Sequence, residues 1–275
     1  MKIFEENMKS IQVLVATMHQ KDISLAEKMN IRCSAIIANQ ADRDEIISCR
    51  AEYGNIKMVT TSTRGVGLNR NIALMASDAD ILMFADDDVV YNDDMPEAVV
   101  AAFNSIPSAD VIVFGMDIIK NGVISEKRHL STRRLRVWNS MRFGTYTIAV
   151  RRSAIVNKNI TFNQCFGGGC SFSAGEDSLF LKACFDCGLK VFSYDYVLGT
   201  CCKDESSWFV GYNEKYFYDK GVLLRNLFPK TACLMAIYFG VRFKRKTELG
   251  VISRLKYIYS GIRGGKKMKP YSEKK

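Results

Sequence analysis

Short apolar runs separated by polar segments dominate the first half of the chain. Five of these runs are rich in β-branched residues and too short for helices, which is typical of buried strands. The predicted strands cover residues 11–17, 33–39, 56–60, 79–85 and 109–115. The polar segments between the early strands have helical character, and apolar spacing predicts two clear helices, 69–79 and 93–106. Continuous apolar strands alternating with helices predict an α/β fold with a mostly parallel sheet covered on both faces.

A glycine-rich stretch, FGGGCSFSAGED, occupies residues 166–177. It predicts a loop that leads into a helix from about Ser178, followed by a strand that ends near Phe192. Continuous apolar strands are expected to end in loops at one edge of the sheet. Ligands of open α/β sheets bind in the crevice at the carboxyl ends of such strands.

The composition permits a large buried core and disfavours several protein classes. The chain has 275 residues and is 48% hydrophobic, enough for one large domain or two small ones. Its first residues, MKIFEENMKS, are acidic where a signal peptide would be apolar, and no run of about 18 apolar residues predicts a membrane span. The nine cysteines follow no secreted pattern. Reduced thiols are therefore favoured over a zinc site at Cys184 and Cys187, which lacks a second C-x-x-C pair.

The net charge of +10 is concentrated at the C-terminal end. From Arg225 onward there are 14 lysines and arginines against two acids, whereas residues 1–224 hold 25 basic and 27 acidic residues. This asymmetry predicts a body of residues 1–224 and a surface-binding tail of residues 225–275.

Three consecutive carboxylates, Asp86, Asp87 and Asp88, follow the fourth predicted strand. Like charges at this spacing repel one another, so they need a cation, a helix N-terminus or full solvation. Hard oxygen ligands at a strand end suit Mg²⁺ or Mn²⁺, which are often shared with substrate phosphates. A solvated acidic turn is the alternative for an isolated run of this kind.

Three motifs in register with the strand pattern resemble those of a known family. They are TRGVGLNRN (63–71), the aspartate run (86–88) and the Glu176–Asp177 pair that follows the glycine-rich loop. In this order the chain resembles the family 2 glycosyltransferases of the GT-A fold over roughly residues 10–220, and is similar to bacterial surface-polysaccharide enzymes. The resemblance implies donor residues in the first half, 10–117, and acceptor residues in the second, 118–224.

The resemblance implies a nucleotide-sugar donor site, with a UDP-sugar favoured. Asp88 would be the direct ligand of Mn²⁺ or Mg²⁺, and Asp86 and Asp87 would lie near the ribose and diphosphate. Other implied donor contacts come from the ends of the first two strands and from the following helix, at Thr17, Asn39, Gln40 and Arg70. Family members often carry an aspartate at the end of the second strand. This chain has ANQADRD there, so Asn39, Gln40 or Asp42 would take its place.

On the acceptor side, the resemblance implies that Asp177 is the general base and that Glu176 orients the acceptor. Trp208, Gly168 and Gly169 are the further acceptor contacts that it suggests. As an ordinary helix-start charge pair, Glu176 and Asp177 would be stabilised by the helix dipole, which would also help to keep Asp177 ionised. No motif nominates a carboxylate nucleophile of the kind that retaining glycosidases use, so inversion is expected.

Basic residues also mark two segments outside these motifs. The run 120–136 is either a solvated face or a mobile cover that contacts phosphates. In the tail, the short uncharged stretch 231–241 precedes four basic residues within 242–246, and 251–269 interleaves apolar, aromatic and basic residues. Such segments bind anionic membrane surfaces, whereas packing against the body is the alternative.

The favoured interpretation is an inverting, metal-dependent enzyme at the cytoplasmic face of the cell membrane. Its acceptor is expected to be a glycan, with a saccharide on a polyprenyl diphosphate inferred from the resemblance. A catalytically silent binding protein with an adaptor tail is one alternative, and a nucleotidyltransferase is another, although VLVATMHQKD is not the glycine-rich loop that those enzymes carry. Nucleic acid is not an expected partner, because the body shows no such module.

Overall fold

The five predicted runs form the parallel strands of one mixed sheet. The computed structural model describes residues 9–203, 211–243 and 246–265. Its strands are β1 (Ile11–Met18), β2 (Ser34–Gln40), β3 (Glu45–Ala51), β4 (Gly54–Thr61), β5 (Ile81–Asp86), β6 (Val89–Tyr91), β7 (Val111–Lys120), β8 (Val123–Arg128), β9 (Arg133–Arg134), β10 (Ile148–Arg151) and β11 (Val191–Cys202). Its helices are α1 (Leu25–Lys28), α2 (Val66–Ala76), α3 (Met95–Ser105), α4 (Val137–Ser140), α5 (Arg152–Val156), α6 (Glu176–Asp186), α7 (Glu214–Leu227), α8 (Ala232–Arg242) and α9 (Val251–Gly264), with a 3₁₀ turn at Thr145–Thr147.

The strand order places several polar side chains at one edge of the sheet. The order is β3-β4-β2-β1-β5-β10-β7-β11-β6, with β8 paired to β7 and β9 to β11. Strands β4, β2, β1 and β5 are parallel, so their carboxyl ends meet at the same edge. In this register Thr17 lies opposite Asn39, and Ala16 lies opposite Asp86. The sheet is continuous through β10, β7 and β11, and therefore joins both predicted halves of the body.

Both faces of the sheet are buried, as continuous apolar strands require. Alternating residues of β1 divide between the two cores, with Val13 in one and Leu14 in the other. Beneath the second face, three phenylalanine rings pack together: Phe84 lies 5.0 Å from Phe162 and 5.3 Å from Phe180, and the latter two stack at 4.3 Å. This contact holds helix α6 and the segment before the glycine-rich loop against strand β5.

Two elements differ from the sequence-based expectation. Residues 45–51, where a polar helical segment was expected, form the edge strand β3, because Ile46 and Ile47 lie in a hairpin pairing with β4. The strand expected to end near Phe192 instead begins at Val191 and continues to Cys202. Irregular register between Ser193 and Thr200 bends β11, which lets it pair with β7, β9 and β6 in turn.

The basic run 120–136 is largely an exposed hairpin. Strands β7 and β8 are joined by Asn121 and Gly122, both with positive φ, and β9 follows as a short pairing with β11. His129 lies in this segment with its Nε2 atom 3.3 Å from Asp117 Oδ1. The solvated-face alternative therefore describes most of the run, with Arg128 turned inward as an exception.

Helices α7, α8 and α9 share an apolar core of their own. Its buried members are Phe217, Leu224, Ala232, Ala236, Ile258 and Ile262. Helices α7 and α9 cross in very close contact, since a Cβ atom built on Gly221 would lie 2.0 Å from the Ile258 carbonyl oxygen. The same construction on Gly261 gives 2.0 Å to the Tyr218 carbonyl oxygen. None of the described helices is long and apolar enough to cross a membrane.

Helix α7 also supports the glycine-rich loop. Asp219 is buried and accepts a hydrogen bond from the Ser173 backbone N–H at 2.9 Å. Leu223 packs directly against Gly175, the residue before α6. The predicted boundary between residues 224 and 225 therefore lies inside α7. The same helix packs against the glycine-rich loop of the body and against the tail helices.

Because Gly221 has no space for a side chain, Gly221→Ala should force α7 and α9 apart. We expect the free energy of unfolding to fall by about 1–3 kcal/mol, the usual cost of overpacking a filled contact. Gly250→Ala is the matched control, because no atom lies within 4 Å of the Cβ it would add. Thermal and urea denaturation of the two variants measure the difference. Equal stability of the two would contradict the close crossing.

Candidate active site at the carboxyl ends of the strands

The three aspartates at the end of β5 point to different partners. Asp86 is the last residue of β5, and Asp87 and Asp88 form the turn into β6. Thr17 Oγ1, on the neighbouring β1, donates a hydrogen bond to Asp87 Oδ2 at 2.5 Å. Asp86 is bound by Arg70, with 2.6 Å between Nη2 and Oδ1. Arg70 and Thr17 thus give two of the three carboxylates their own partners, while burial and the charge of Asp86 still raise the pKa of Asp87 and of Asp88.

Arg70 joins the aspartate run to the Glu176–Asp177 pair. Its Nη1 atom lies 3.0 Å from Glu176 Oε1 and 3.4 Å from Asp177 Oδ1, while Nη2 binds Asp86. The side chain is only 5% exposed. Burial lowers the pKa of Arg70, but Asp86, Asp177 and Glu176 together raise it above its usual value, so the guanidinium stays charged. The sequence predicts a direct donor contact for Arg70, whereas its observed contacts position the carboxylates on both sides of the cleft.

The two asparagines that flank Arg70 fix its place. Asn69 Nδ2 donates to backbone carbonyls of β1 and β2, at 3.1 and 2.8 Å. Asn71 exchanges two hydrogen bonds with the Phe162 backbone, at 2.9 and 2.7 Å. The Arg70 guanidinium lies 5.5 Å from the centroid of the Phe162 ring. The NRN sequence therefore anchors α2 on the sheet and directs its central arginine into the cleft.

Asp177 lies in the first turn of α6 and changes charge near neutral pH. Burial raises its pKa to about 7, and the adjacent Glu176 contributes, while Arg70 and a hydrogen bond from Thr145 Oγ1 act in the opposite direction. The side chain is still 31% exposed, so a substrate can reach it. Burial and the charge of Glu176 thus outweigh Arg70 and Thr145, so Asp177 holds its proton more tightly than a free carboxyl group does.

Glu176 lies under the glycine-rich loop. A Cβ atom on Gly167, whose φ is +103°, would lie 2.7 Å from Glu176 Cδ, so only glycine lets the loop pass over this carboxylate. The Gly168 carbonyl accepts a hydrogen bond from the Val66 backbone N–H at 3.0 Å. Gly168 thus joins the loop to the start of α2, and Gly169 is exposed beside it.

Asn39 and Gln40 are internal braces at the end of β2. Asn39 is fully buried; its amide donates to the Gln20 carbonyl and Thr60 Oγ1 and accepts from the Gln20 N–H. Gln40 Oε1 accepts from the Gly65 N–H at 2.8 Å. Asn39, Gln40 and Asp42 are the residues predicted to replace the aspartate that family members carry at the end of the second strand. Among these three, Asp42 is exposed, and it pairs with Arg64.

Asp88 combines burial with an unused acceptor. Its Oδ1 atom is buried and makes no hydrogen bond. Burial raises the pKa of Asp88 to about 6, and Asp86 adds to the shift, whereas Cys201 and Lys203 lower it. A buried carboxylate oxygen without a donor is unusual in a native protein and marks a place for a missing partner.

These features fit a divalent cation that is shared with a ligand. Among the residues that the structure describes, no three His, Cys, Asp or Glu side chains are grouped to hold a metal by themselves. Mg²⁺ is typically held by one or two carboxylates together with substrate phosphates and water. Asp88, with Asp86 next to it, matches that donor set.

Lys203 lowers the pKa of Asp88, and the sequence did not connect this cation with Arg128 of the basic run 120–136. Lys203 Nζ and Arg128 Nη1 both donate to the Tyr146 hydroxyl, at 3.0 and 3.1 Å. Tyr146 is buried, and its neighbour Thr145 donates to Asp177. These residues lie in β8, directly after β11 and in the 3₁₀ turn, and no local pattern connects segments so distant in the chain.

Of the two tryptophans, Trp208 lies outside the described residues, so its predicted acceptor contact stays a prediction. Trp138, which the sequence did not single out, is largely exposed on α4 and stacks on Phe228 at 6.0 Å. The segment after it contacts α6, because Ser178 Oγ donates to the Met141 carbonyl. An exposed aromatic surface therefore lies close to the helix that carries Asp177.

Replacement of Arg70 should cost more stability at high pH than at low pH. Arg70→Met would leave three neighbouring carboxylates without their cation, and breaking a buried ion pair typically costs about 3–5 kcal/mol. The loss should shrink as the pH falls, because protonation removes the repulsion. Urea denaturation at pH 8 and pH 5 measures this, with Arg64→Met at an exposed pair as the control. A pH-independent loss would contradict the shared role of Arg70.

Comparisons with known proteins identify the fold and the family of the chain. S. aureus TarS 1–349 in complex with UDP-GlcNAc has a TM-score of 0.59 and 16% identity, over 86% of this chain and 73% of that chain. The structure of S. aureus TarS gives a TM-score of 0.57 and 15% identity, over 86% of this chain but 44% of that one. These likenesses show the fold and confirm the predicted GT-A class. A search of curated proteins found no match. Residues 24–174, more than half of the chain, match the model of Glycosyl transferase family 2, and the chain therefore belongs to that family.

Proposed function

We propose that the protein is an inverting glycosyltransferase that moves a sugar from a UDP-sugar to a hydroxyl of a glycan acceptor. The observation that carries this proposal is the Arg70 bridge, which holds the aspartate run and Asp177 in one cleft. Transfer needs a site for the leaving diphosphate and a base for the acceptor, and these two groups of carboxylates supply both. Membership of the family supports a nucleotide-sugar substrate, and the UDP-GlcNAc complex of TarS supports the choice of UDP.

The donor half of the reaction is assigned to the end of β5. Asp88 would hold Mn²⁺ or Mg²⁺, which supplies positive charge to the diphosphate leaving group. Asp86 and Asp87 are kept in place by Arg70 and Thr17, and they border the ribose and diphosphate. Lys203, whose charge lowers the pKa of Asp88, and Arg128, which shares the Tyr146 hydroxyl with Lys203, would add positive charge for the leaving diphosphate.

The acceptor half is assigned to Asp177. Its carboxylate takes the proton of the acceptor hydroxyl while that oxygen forms a bond to the anomeric carbon. The bond from the anomeric carbon to the phosphate oxygen breaks, and the nucleoside diphosphate leaves with the electron pair. Asp86 and Asp87 are assigned to the donor side and Glu176 pairs with Arg70, so Asp177 is the carboxylate assigned to the reacting acceptor hydroxyl. A single base without a nucleophilic carboxylate supports inversion.

The acceptor is assigned to a lipid-linked saccharide at the cytoplasmic membrane face, in the synthesis of a surface polysaccharide. The strongly basic segment after Arg225 supports contact with an anionic lipid surface. Gly169, exposed on the glycine-rich loop, and the exposed Trp138, whose segment contacts α6 through Met141, are assigned as contacts for acceptor sugars, for which aromatic rings are suited.

The donor site is tested first, by calorimetric titration with UDP in the presence and absence of Mn²⁺. UDP should bind only with the metal, and Asp88→Ala should abolish that binding because the cation loses its direct ligand. Asp186→Ala, at the far end of α6, should bind as the wild type does. Equal binding by Asp88→Ala and wild type would contradict the assignment. If UDP does not bind, GDP and dTDP are the next nucleotides to titrate.

Asp177→Asn should bind UDP normally and lose transfer by a factor of about 10²–10⁴, the usual contribution of a general base. In the wild type, kcat/KM should rise with pH through about 7, because only the ionised carboxylate accepts a proton. Thr145→Val removes a hydrogen bond to that ionised form and should move the rise to higher pH. A rate that does not change between pH 5 and pH 9 would argue against Asp177 as the base.

A further inference from the structure

Helix α8 presents large apolar side chains to solvent. Leu234, Ile237, Tyr238 and Val241 are 69, 50, 50 and 56% exposed. At about 100° per residue, these four and the exposed Cys233 span an arc of about 140° on one side of the helix. We call this surface, Cys233 to Val241, the α8 face. A contiguous apolar surface of this kind marks an interaction site, whereas single exposed residues do not.

The opposite side of α8 is made of small residues. Ala232, Ala236 and Gly240 are buried, and a Cβ atom on Gly240 would lie 2.6 Å from Leu255 Cδ2 of α9. The Tyr259 hydroxyl donates to the Cys233 carbonyl at 3.1 Å, which fixes the two helices side by side. Close packing through the small residues therefore turns the large ones outward.

The surroundings of the α8 face are positively charged. Six cations are exposed within the described part of 225–265, against a single acid, Glu248. The exposed cations are Arg225, Lys230, Arg242, Lys246, Lys256 and Arg263. Arg242 donates to the Tyr238 hydroxyl at 2.5 Å, so a cation and an amphipathic ring lie together at the end of the face. Two copies pairing here would bring like charges together, whereas an anionic lipid surface would complement them.

We infer that the α8 face is the surface by which this protein enters an anionic membrane. Helix α8 lies flat in the interface, its apolar side chains lie among the acyl chains, and Arg242 and Lys246 lie among the headgroups. Helix α9, whose sequence pattern also suggested membrane contact, buries Ile258 and Ile262 against the other helices. This inference rests on the proposed function, because it names the surface that would contact the membrane there. Its residues lie outside the donor site.

The test is co-sedimentation of the full chain with vesicles. Wild-type protein should bind vesicles of phosphatidylcholine with phosphatidylglycerol, and bind pure phosphatidylcholine weakly. The triple variant Leu234→Gln, Ile237→Gln, Val241→Gln should bind vesicles with an affinity at least about tenfold lower. Polar glutamine side chains gain no free energy when they move from water into the acyl-chain region. Ile46→Gln is the matched control, since Ile46 is 65% exposed on β3, away from the tail helices. Thermal denaturation shows that each variant is folded.

Three outcomes would overturn the inference. The first is that the wild type does not bind anionic vesicles, and the second is that the triple variant binds them as strongly as the wild type does. The third is that light scattering finds a dimer for the wild type and a monomer for the triple variant. The last result would assign the face to a second copy of the chain. Calorimetry with UDP on the triple variant separates this inference from the proposed function. UDP binding without vesicle binding by the wild type refutes only the membrane surface, and the reverse refutes only the donor site.

Discussion

The buried guanidinium of Arg70 is the interaction on which the rest of the site depends. Asp86, Glu176 and Asp177 come from two segments about 90 residues apart, and each carries a charge that would repel the others. Arg70 contacts all three, and the flanking asparagines hold it between the sheet and the Phe162 segment. A buried cation is stable only with such partners, and the carboxylates are close only because of it. The close approach of these carboxylates therefore depends on the burial of the Arg70 guanidinium between them.

The surroundings divide the carboxylates into groups with different properties. Asp88 and Asp177 both have a raised pKa, chiefly through burial, but Asp86 adds to the first shift and Glu176 to the second. Asp177 also accepts a hydrogen bond from the Thr145 hydroxyl, whereas one buried oxygen of Asp88 has no hydrogen-bond donor. One side chain is thus suited to hold a cation and the other to take up a proton near neutral pH.

Sequence patterns were sufficient for the elements that lie within one stretch of chain. The parallel strands and helices α2 and α3 follow from apolar spacing, and the start of α6 follows from the glycine-rich stretch before it. Three motifs indicated the family that the comparisons confirm. The pairing of Arg70 with both motifs did not follow, because contacts across 106 residues leave no local periodicity. Likewise, an asparagine at the end of β2 suggests a ligand contact, but burial and bonds to Gln20 and Thr60 give Asn39 a structural role.

The contact between Asp219 and the Ser173 backbone has a consequence for how far the chain could be shortened. Helix α7 holds the glycine-rich loop through Asp219 and Leu223, and α7 is itself held by α9 across the Gly221–Gly261 crossing. Truncation after residue 224 would remove the last turn of α7 and all of its packing partners on α8 and α9. The smallest unit that keeps these supports of the glycine-rich loop therefore extends through Gly264, and the C-terminal helices belong to the same scaffold as the loop.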